Sequence, residues 1–190
     1  RELGQDEKLQ GAREIVKEAR QRTEGQAKAF DAMVALYEAQ PILGTRTSTS
    51  VEQQAYSTPA PLAFLASRLA GIKAGTTVYE PTAGNGMLLM DARPSNVTAN
   101  ELNPDRFANL QAILGPDATL TQGDATQETG PKGVQVVIAN PPFGKSKTPE
   151  GTNRRFPMWK RNTTEIDHAI SFRALEAMDD DGKAVLIIGG

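Results

Sequence analysis

The sequence contains no cysteine. A disulfide framework, a thiolate metal site and a cysteine nucleophile are therefore excluded. Histidine is almost as scarce, His168 being the only one, so a multi-histidine metal site is excluded as well. No apolar stretch approaches the roughly 18 residues of a membrane helix, and no signal peptide opens the chain. The expectation is a cytoplasmic protein without a membrane partner. An excess of one charge is missing too. The net charge of −2 rules out a uniformly basic nucleic-acid coat but leaves room for a local basic patch.

What is present is ordinary in bulk and specific in arrangement. Apolar residues make up 38% and charged residues 23% of 190 positions, as in a globular domain with a short appendage and a real core. The chain starts at Arg1 and stops at Gly190, directly after an apolar run, so a piece of a larger multidomain protein is expected. Residues 6 to 39 are polar, alanine-rich and free of proline. Leu9, Ala12, Val16 and Ala19, and then Phe30, Met33, Val34 and Tyr37, recur at helical spacing. One kinked or two consecutive helices are predicted, with a possible break at Gly25 and an end at Pro41. The stretch "LGTRTSTS" (43–50) reads as a linker. Residues 1–50 are thus an N-terminal helical arm and linker, and 51–190 a second unit.

In that second unit strand and helix signals alternate. Thr58-Pro59 opens a helix, Thr58 as N-cap, that Gly71 closes. "TTVYEP" is a strand, "TAGNG" a glycine turn and "MLLMDA" a brief apolar helix. "NVTANEL" is the second strand, and Asn103-Pro104 caps a helix running to Gly115. "ATLTQGD" and "VQVVIAN" are the third and fourth strands, "EIDHAISFRALEAM" an amphipathic helix and "GKAVLIIGG" a fifth strand. This alternation predicts an α/β fold, a parallel sheet with helices on both faces.

Ligands of such sheets bind beyond the carboxyl ends of the strands. The first strand ends in Glu80-Pro81-Thr82-Ala83-Gly84-Asn85-Gly86, the second in Glu101, the third in Asp124 and the fourth in Asn140. The glycines allow close backbone approach to a ligand. Glu101, 17 residues past Gly84, suits ribose hydroxyls, which are donors. A dinucleotide fold would want G-x-G-x-x-G, but Met87, Leu88 and Leu89 follow Gly86, and no P-loop is present. No basic residue lies in the glycine turn to meet phosphates. A ligand with ribose and adenine but no phosphate fits better, and S-adenosylmethionine is such a ligand.

The order Ser57-Thr58-Pro59, Glu80 to Gly86, Glu101, Asp124 and Asn140-Pro141-Pro142-Phe143 resembles the S-adenosylmethionine-dependent amino-methyltransferases, in particular the N6-adenine DNA methyltransferases with an NPPF corner. The resemblance covers about residues 51–190. It implies a Rossmann-like fold with strand order 3-2-1-4-5 and, against the family pattern, the last two strands missing. It further implies that Thr58 and Thr82, Ala83, Gly84, Asn85 and Gly86, preceded by Glu80, hold the methionine end of the cofactor. By the same resemblance Glu101 with Leu102 takes the ribose, and Asp124 with Ala125 the adenine. The run from Gln54 to Trp159 also resembles the methylase-like domain of large plasmid and phage proteins that carry helicase-type domains.

The NPPF corner has a chemical rationale. An exocyclic amine is planar, its lone pair delocalised into the ring, and hence a poor nucleophile. The Asn140 oxygen and the Pro141 carbonyl would each accept one of its N–H bonds and so favour a pyramidal nitrogen aimed at the methyl. Proline rigidity at Pro141 and Pro142 fixes both acceptors, and Phe143 offers a face for a flipped-out base. Downstream, Lys145, Lys147, Arg154, Arg155, Lys160 and Arg161 stand against one acid, Glu150, with Phe156 and the sole tryptophan, Trp159, among them. Basic residues interleaved with aromatics suit a nucleic-acid partner, DNA foremost; the bland alternative is a solvated loop whose aromatics pack on the domain. No metal is required. The acceptor alternatives are an RNA base or a protein glutamine amide, and the non-enzymatic one is an inactive methylase-like binding module.

Overall fold

The computed structural model describes residues 5–20, 25–39 and 57–189. The expected linker, the Pro41 helix end and the 50/51 boundary lie outside them. Helices α1 (Gln5–Arg20) and α2 (Gly25–Glu38) form the arm, α2 beginning at Gly25; residues 21–24 lie outside the described ones. Then come α3 (Ala60–Ala70), β1 (Val78–Glu80), β2 (Val97–Glu101), α4 (Pro104–Leu114), β3 (Thr119–Gln122) and β4 (Val134–Ala139). A short hairpin, β5 (Phe156–Met158) and β6 (Arg161–Thr163), precedes α5 (Ile166–Leu175) and β7 (Met178–Leu186).

Five strands form one parallel sheet in the order β3-β2-β1-β4-β7. This is the predicted 3-2-1-4-5, with β7 as the fifth strand. The reason is visible in β4, where five of six residues are buried. A strand covered on both faces reads as a continuous apolar run and belongs at the centre of such a sheet. Val78, Val136 and Ile138 point into the larger core cluster, which α1 to α4 cover with Ala12, Met33, Phe64 and Leu110. Tyr79 and Val137 point the other way, against Ala174 and Ala177 of α5 and its end. The arm is thus packed into the same core as the sheet, and Arg13 of α1 donates to the Leu89 carbonyl just past the glycine turn at 3.3 Å.

Several local expectations need correction. Pro59, not Thr58, occupies the N-cap of α3, and no side chain caps that helix; the Thr58 hydroxyl is engaged elsewhere. The "MLLMDA" helix shrinks to a single 3₁₀ turn, Met87–Leu89. It is cut short because Asp91, wholly buried, turns inward to accept from Ser67 Oγ at 2.6 Å and to face Arg68 at 3.3 Å. Strand β7 starts before its glycine. A register shift between Val134 and Val136 absorbs the extra acidic residues, as a bulge does. The basic loop is not a loop throughout, since residues 156–163 make the antiparallel β5–β6 hairpin. Its signal was weak, because the strands are three residues long and carry a proline, an arginine and an asparagine.

Candidate functional site

The carboxyl ends of β1, β2 and β4, and the segment just after β3, open into a cavity of about 540 Å³, within the usual range for a small-ligand site. The glycine turn forms one wall. Gly84 and Gly86 adopt φ of 55° and 75°, a left-handed conformation that glycine takes without steric cost. Two hydrogen bonds fasten the turn to β2, from Ala83 N to the Asn100 carbonyl at 2.8 Å and from Gly84 N to Glu101 Oε2 at 2.7 Å.

Thr58, Thr82, Ala83, Gly84 and Asn85 line the cavity, as do Glu101, Leu102, Asp124, Ala125 and Asn140. Ten of the expected site residues are thus brought together from four strand ends and the α3 entry. Glu80 and Gly86 are not on the wall. Glu80 is buried behind it, and burial, with the Glu101 charge adding to it, holds its carboxyl well above the ordinary range. It lies inside the fold rather than serving as an exposed acceptor. Pro142 lines the cavity while Pro141 and Phe143 do not. Phe143 is half-buried beside Gly189, where an added Cβ would come within 3.5 Å of the Phe143 Cβ.

The polar groups of the site are oriented in different ways. Glu101 accepts from Gly84 N through one oxygen and from Asn103 N through the other, both at 2.7 Å. Expected as a free ribose acceptor, it also fixes the glycine turn and the start of α4, so a ribose would share lone pairs with the backbone. Asp124 Oδ1 accepts from Thr126 N and Oγ1 at 2.9 and 2.7 Å. Its Oδ2 faces the Gln127 amide at 3.1 Å and the Arg154 guanidinium at 3.8 Å. Burial would raise the Asp124 carboxyl, but the Thr126 and Gln127 hydrogen bonds and the Arg154 charge outweigh it, leaving the value lowered. Asn140 Nδ2 donates to Thr58 Oγ1 at 3.0 Å. Its Oδ1 is buried and, among the described residues, has no hydrogen-bond partner, and the same holds for Thr82 Oγ1. A buried acceptor without a partner is costly, and both residues line the cavity.

Three residues escaped the sequence reading. Asn100 donates to the Pro81 and Gly123 carbonyls at 3.1 and 2.8 Å and accepts from Thr121 Oγ1 at 2.9 Å. One buried amide thereby ties together the ends of β1, β2 and β3. Nothing in a lone mid-strand asparagine announces that, although a polar residue in a buried strand is a signal. Arg106 of α4 reaches back to within 3.6 Å of where a Cβ on Gly84 would sit, and it lines the cavity. A basic residue therefore does stand at the glycine turn, supplied from 22 positions downstream. Ser146 adds a buried hydroxyl to the wall.

Of the basic residues, Lys145, Lys147 and Arg154 line the cavity, whereas Arg155, Lys160 and Arg161, like Trp159, are exposed beyond it. The segment is braced at its base. Ile166 N donates to the Gly144 carbonyl at 2.8 Å, Arg154 N to the Ser146 carbonyl at 2.9 Å, and Lys145 pairs with Glu165 at 3.4 Å. The two aromatics behave differently: Phe156 is buried under the Arg154 guanidinium, whose carbon lies 5.1 Å from the ring centre, while Trp159 is 88% exposed. His168 is exposed on α5.

No protein-family model and no curated protein matches the sequence. Solved structures do. A candidate RNA methyltransferase from Pyrococcus horikoshii superposes with a TM-score of 0.54 at 22% identity, over 80% of this chain and 71% of that one. TrmN from Thermus thermophilus superposes with a TM-score of 0.50 at 21% identity, over 77% of this chain and 44% of that one. The chain has the Rossmann-like methyltransferase fold. At such identities the likeness speaks for the fold, and the methyltransferase-fold cavity must be read from its own residues.

Proposed function

We propose that this chain is an S-adenosylmethionine-dependent methyltransferase acting on an exocyclic amino nitrogen, adenine N6 in DNA foremost. The observation that carries the reading is Asn140, which lines the cavity with its amide nitrogen held by Thr58 and its oxygen buried and without a partner among the described residues. The cofactor fits the residues present. Thr58, Thr82 and the 83–86 backbone suit its methionine end, Glu101 and Leu102 its ribose, and Asp124 and Ala125 its adenine. Bound there, it would supply an electrophilic methyl on a sulfonium.

The chain's own groups do the rest. Asn140 Oδ1 and the Pro141 carbonyl accept the two N–H bonds of the acceptor amine and steer its lone pair along the line of attack. On taking up that methyl the acceptor nitrogen would release one of its protons to solvent. Glu80, behind the wall, supports the turn rather than touching the ligand. Phe143, beside Gly189, would stack the acceptor base. The exposed cations and Trp159 serve the nucleic-acid chain. In this reading 51–190 is the methyltransferase domain of a cytoplasmic protein and the arm its brace.

A second reading keeps the chemistry and takes an RNA base as acceptor. It is supported by the description of the Pyrococcus structure as a candidate RNA methyltransferase and by a cation-rich segment that suits either nucleic acid. A third, an inactive binding module, is favoured only by the Arg154 contact on Asp124. Calorimetric titration with S-adenosylmethionine, beside Asp124→Ala, separates it from the others. Labelled methyl transfer to DNA, RNA and protein panels then identifies the acceptor. Cofactor binding without transfer to any of them would sink the enzymatic reading.

A further inference from the structure

The β5–β6 hairpin turns on two residues, Trp159 and Lys160, because Met158 pairs with Arg161. Trp159 has φ of 47° and is the only non-glycine residue with positive φ among the described residues. It is also the most exposed large apolar side chain of those residues, at 88%. Its one ring contact there is T-shaped, with Phe172 at 5.5 Å. A tryptophan held in a conformation that asparagine or glycine would adopt more readily, and left in water, serves neither core nor turn. Lys160 shares the turn with it, Arg161 follows in β6 and Arg155 precedes β5 at the base of the hairpin, all exposed and without an acidic partner among the described residues. Lys147 and Arg154 continue the cations back to the cavity wall.

A ligand matched to this surface carries repeated negative charge and unstacked aromatic rings, and it passes from the cavity outward along the hairpin. Single-stranded nucleic acid has both properties. An anionic membrane surface would also take tryptophan and cations, but it meets a plane, whereas these cations run into a cavity. We infer that the Trp159 tip is a stacking site for a base neighbouring the acceptor nucleotide, and that the bound strand is single or locally opened there. This rests on the nucleic-acid reading above and goes beyond it by fixing strandedness and a second contact point.

Trp159 is the sole tryptophan, so intrinsic fluorescence reports on the tip alone. Titration of the full chain with mixed-sequence single-stranded DNA or RNA is expected to quench its emission, and duplex of equal length to do so far less. In anisotropy with labelled oligonucleotides, Trp159→Asn, whose side chain suits that φ, should weaken single-strand binding by about 5- to 150-fold. Trp159→Phe should retain most of the affinity, and melting curves of both variants check folding. Removing Arg155, Lys160 or Arg161 should lower the salt slope by roughly 0.7 each. If single strands bind but emission is unmoved and Trp159→Asn binds as tightly as the parent chain, the stacking site is wrong while the nucleic-acid reading stands. If no nucleic acid binds while S-adenosylmethionine does, both fall and a protein acceptor takes their place. A fluorescence response to anionic vesicles and not to oligonucleotides would overturn the inference in favour of a membrane.

Discussion

The Asn140 amide nitrogen donates to the Thr58 hydroxyl at 3.0 Å, which points the amide oxygen the other way, buried and without a partner among the described residues. Two residues 82 positions apart therefore fix one acceptor. The sequence suggested an N-cap role for Thr58 and a cofactor contact. The structure replaces the capping role with another, orienting the group proposed to accept from the substrate amine.

A split between binding and turnover follows. Asn140→Ala should reduce methyl transfer by at least about 10²-fold, the scale of losing a preorganised transition-state hydrogen bond, while the S-adenosylmethionine Kd stays within a few-fold. Thr58→Val keeps the shape but frees the amide to rotate, so kcat should fall roughly 10-fold or more by misplacement. Single-turnover transfer beside calorimetry checks both. Full turnover in either variant would remove Asn140 from the mechanism.

Asp124 and Arg154 make a second testable pair. Their 3.8 Å contact is partly solvated and worth little, roughly 0–1 kcal/mol, yet Arg154 occupies the side of Oδ2 that an adenine amine would use. Arg154→Ala should tighten cofactor binding by up to about fivefold, and Asp124→Ala should abolish it. The Asp124 carboxyl lies below its ordinary value of 3.8. Its contribution is therefore complete above that value and lost as pH falls through the lower folded one. Cofactor affinity should stay flat from about pH 8 to about pH 5 and weaken only in stronger acid. Calorimetry across pH reads this directly.

Glu80 has the opposite sign. Burial, reinforced by Glu101, raises its carboxyl well above 4.5, so the folded chain keeps a proton that the unfolded chain releases. Stability is then fully present below the ordinary value and falls as pH rises toward the folded one. Glu80→Gln copies the protonated shape without the titration. Its melting temperature should exceed that of the parent chain by at least about 2 °C at pH 8 and match it near pH 4, as seen by calorimetric scanning. Equal differences at both pH values would mean that Glu80 is ionised in the fold.

The sheet was legible because local signals agreed. Val136 to Ala139 could only be a buried strand, Asn103-Pro104 caps its helix as written, with Asn103 Oδ1 accepting from Asp105 N and Arg106 N, and strand ends recur in order along the chain. The site was legible to the extent that its groups sit at strand ends. What escaped depends on long-range partners. Thr58 lost its cap because Asn140 took the hydroxyl, and the "MLLMDA" helix lost its last turn because Asp91 folds inward to Ser67 and Arg68. Arg106 came into the cavity from the first turn of α4, a position whose direction no spacing rule gave. Three-residue strands carrying arginine, proline and asparagine hid the Trp159 hairpin.

The arm offers the last prediction. Met33 is fully buried, in one cluster with Phe64, Leu88 and Leu89, and Leu88 and Leu89 follow the glycine turn directly. Arg13 donates to the Leu89 carbonyl in the same region. A core methionine cut to alanine costs about 2–5 kcal/mol, which for a chain of this length is a melting shift of at least about 4 °C. Were the arm an independent appendage, Met33→Ala would melt the arm alone and leave the sheet and its cofactor binding untouched. Because its side chain sits in the sheet's own core, the whole transition should move as one, with S-adenosylmethionine affinity weakened through the loosened 87–89 turn. Thermal melting followed by far-ultraviolet circular dichroism and by Trp159 fluorescence distinguishes the two: coincident curves support a single cooperative unit, and an early partial transition seen only in the helical signal would separate the arm from the domain.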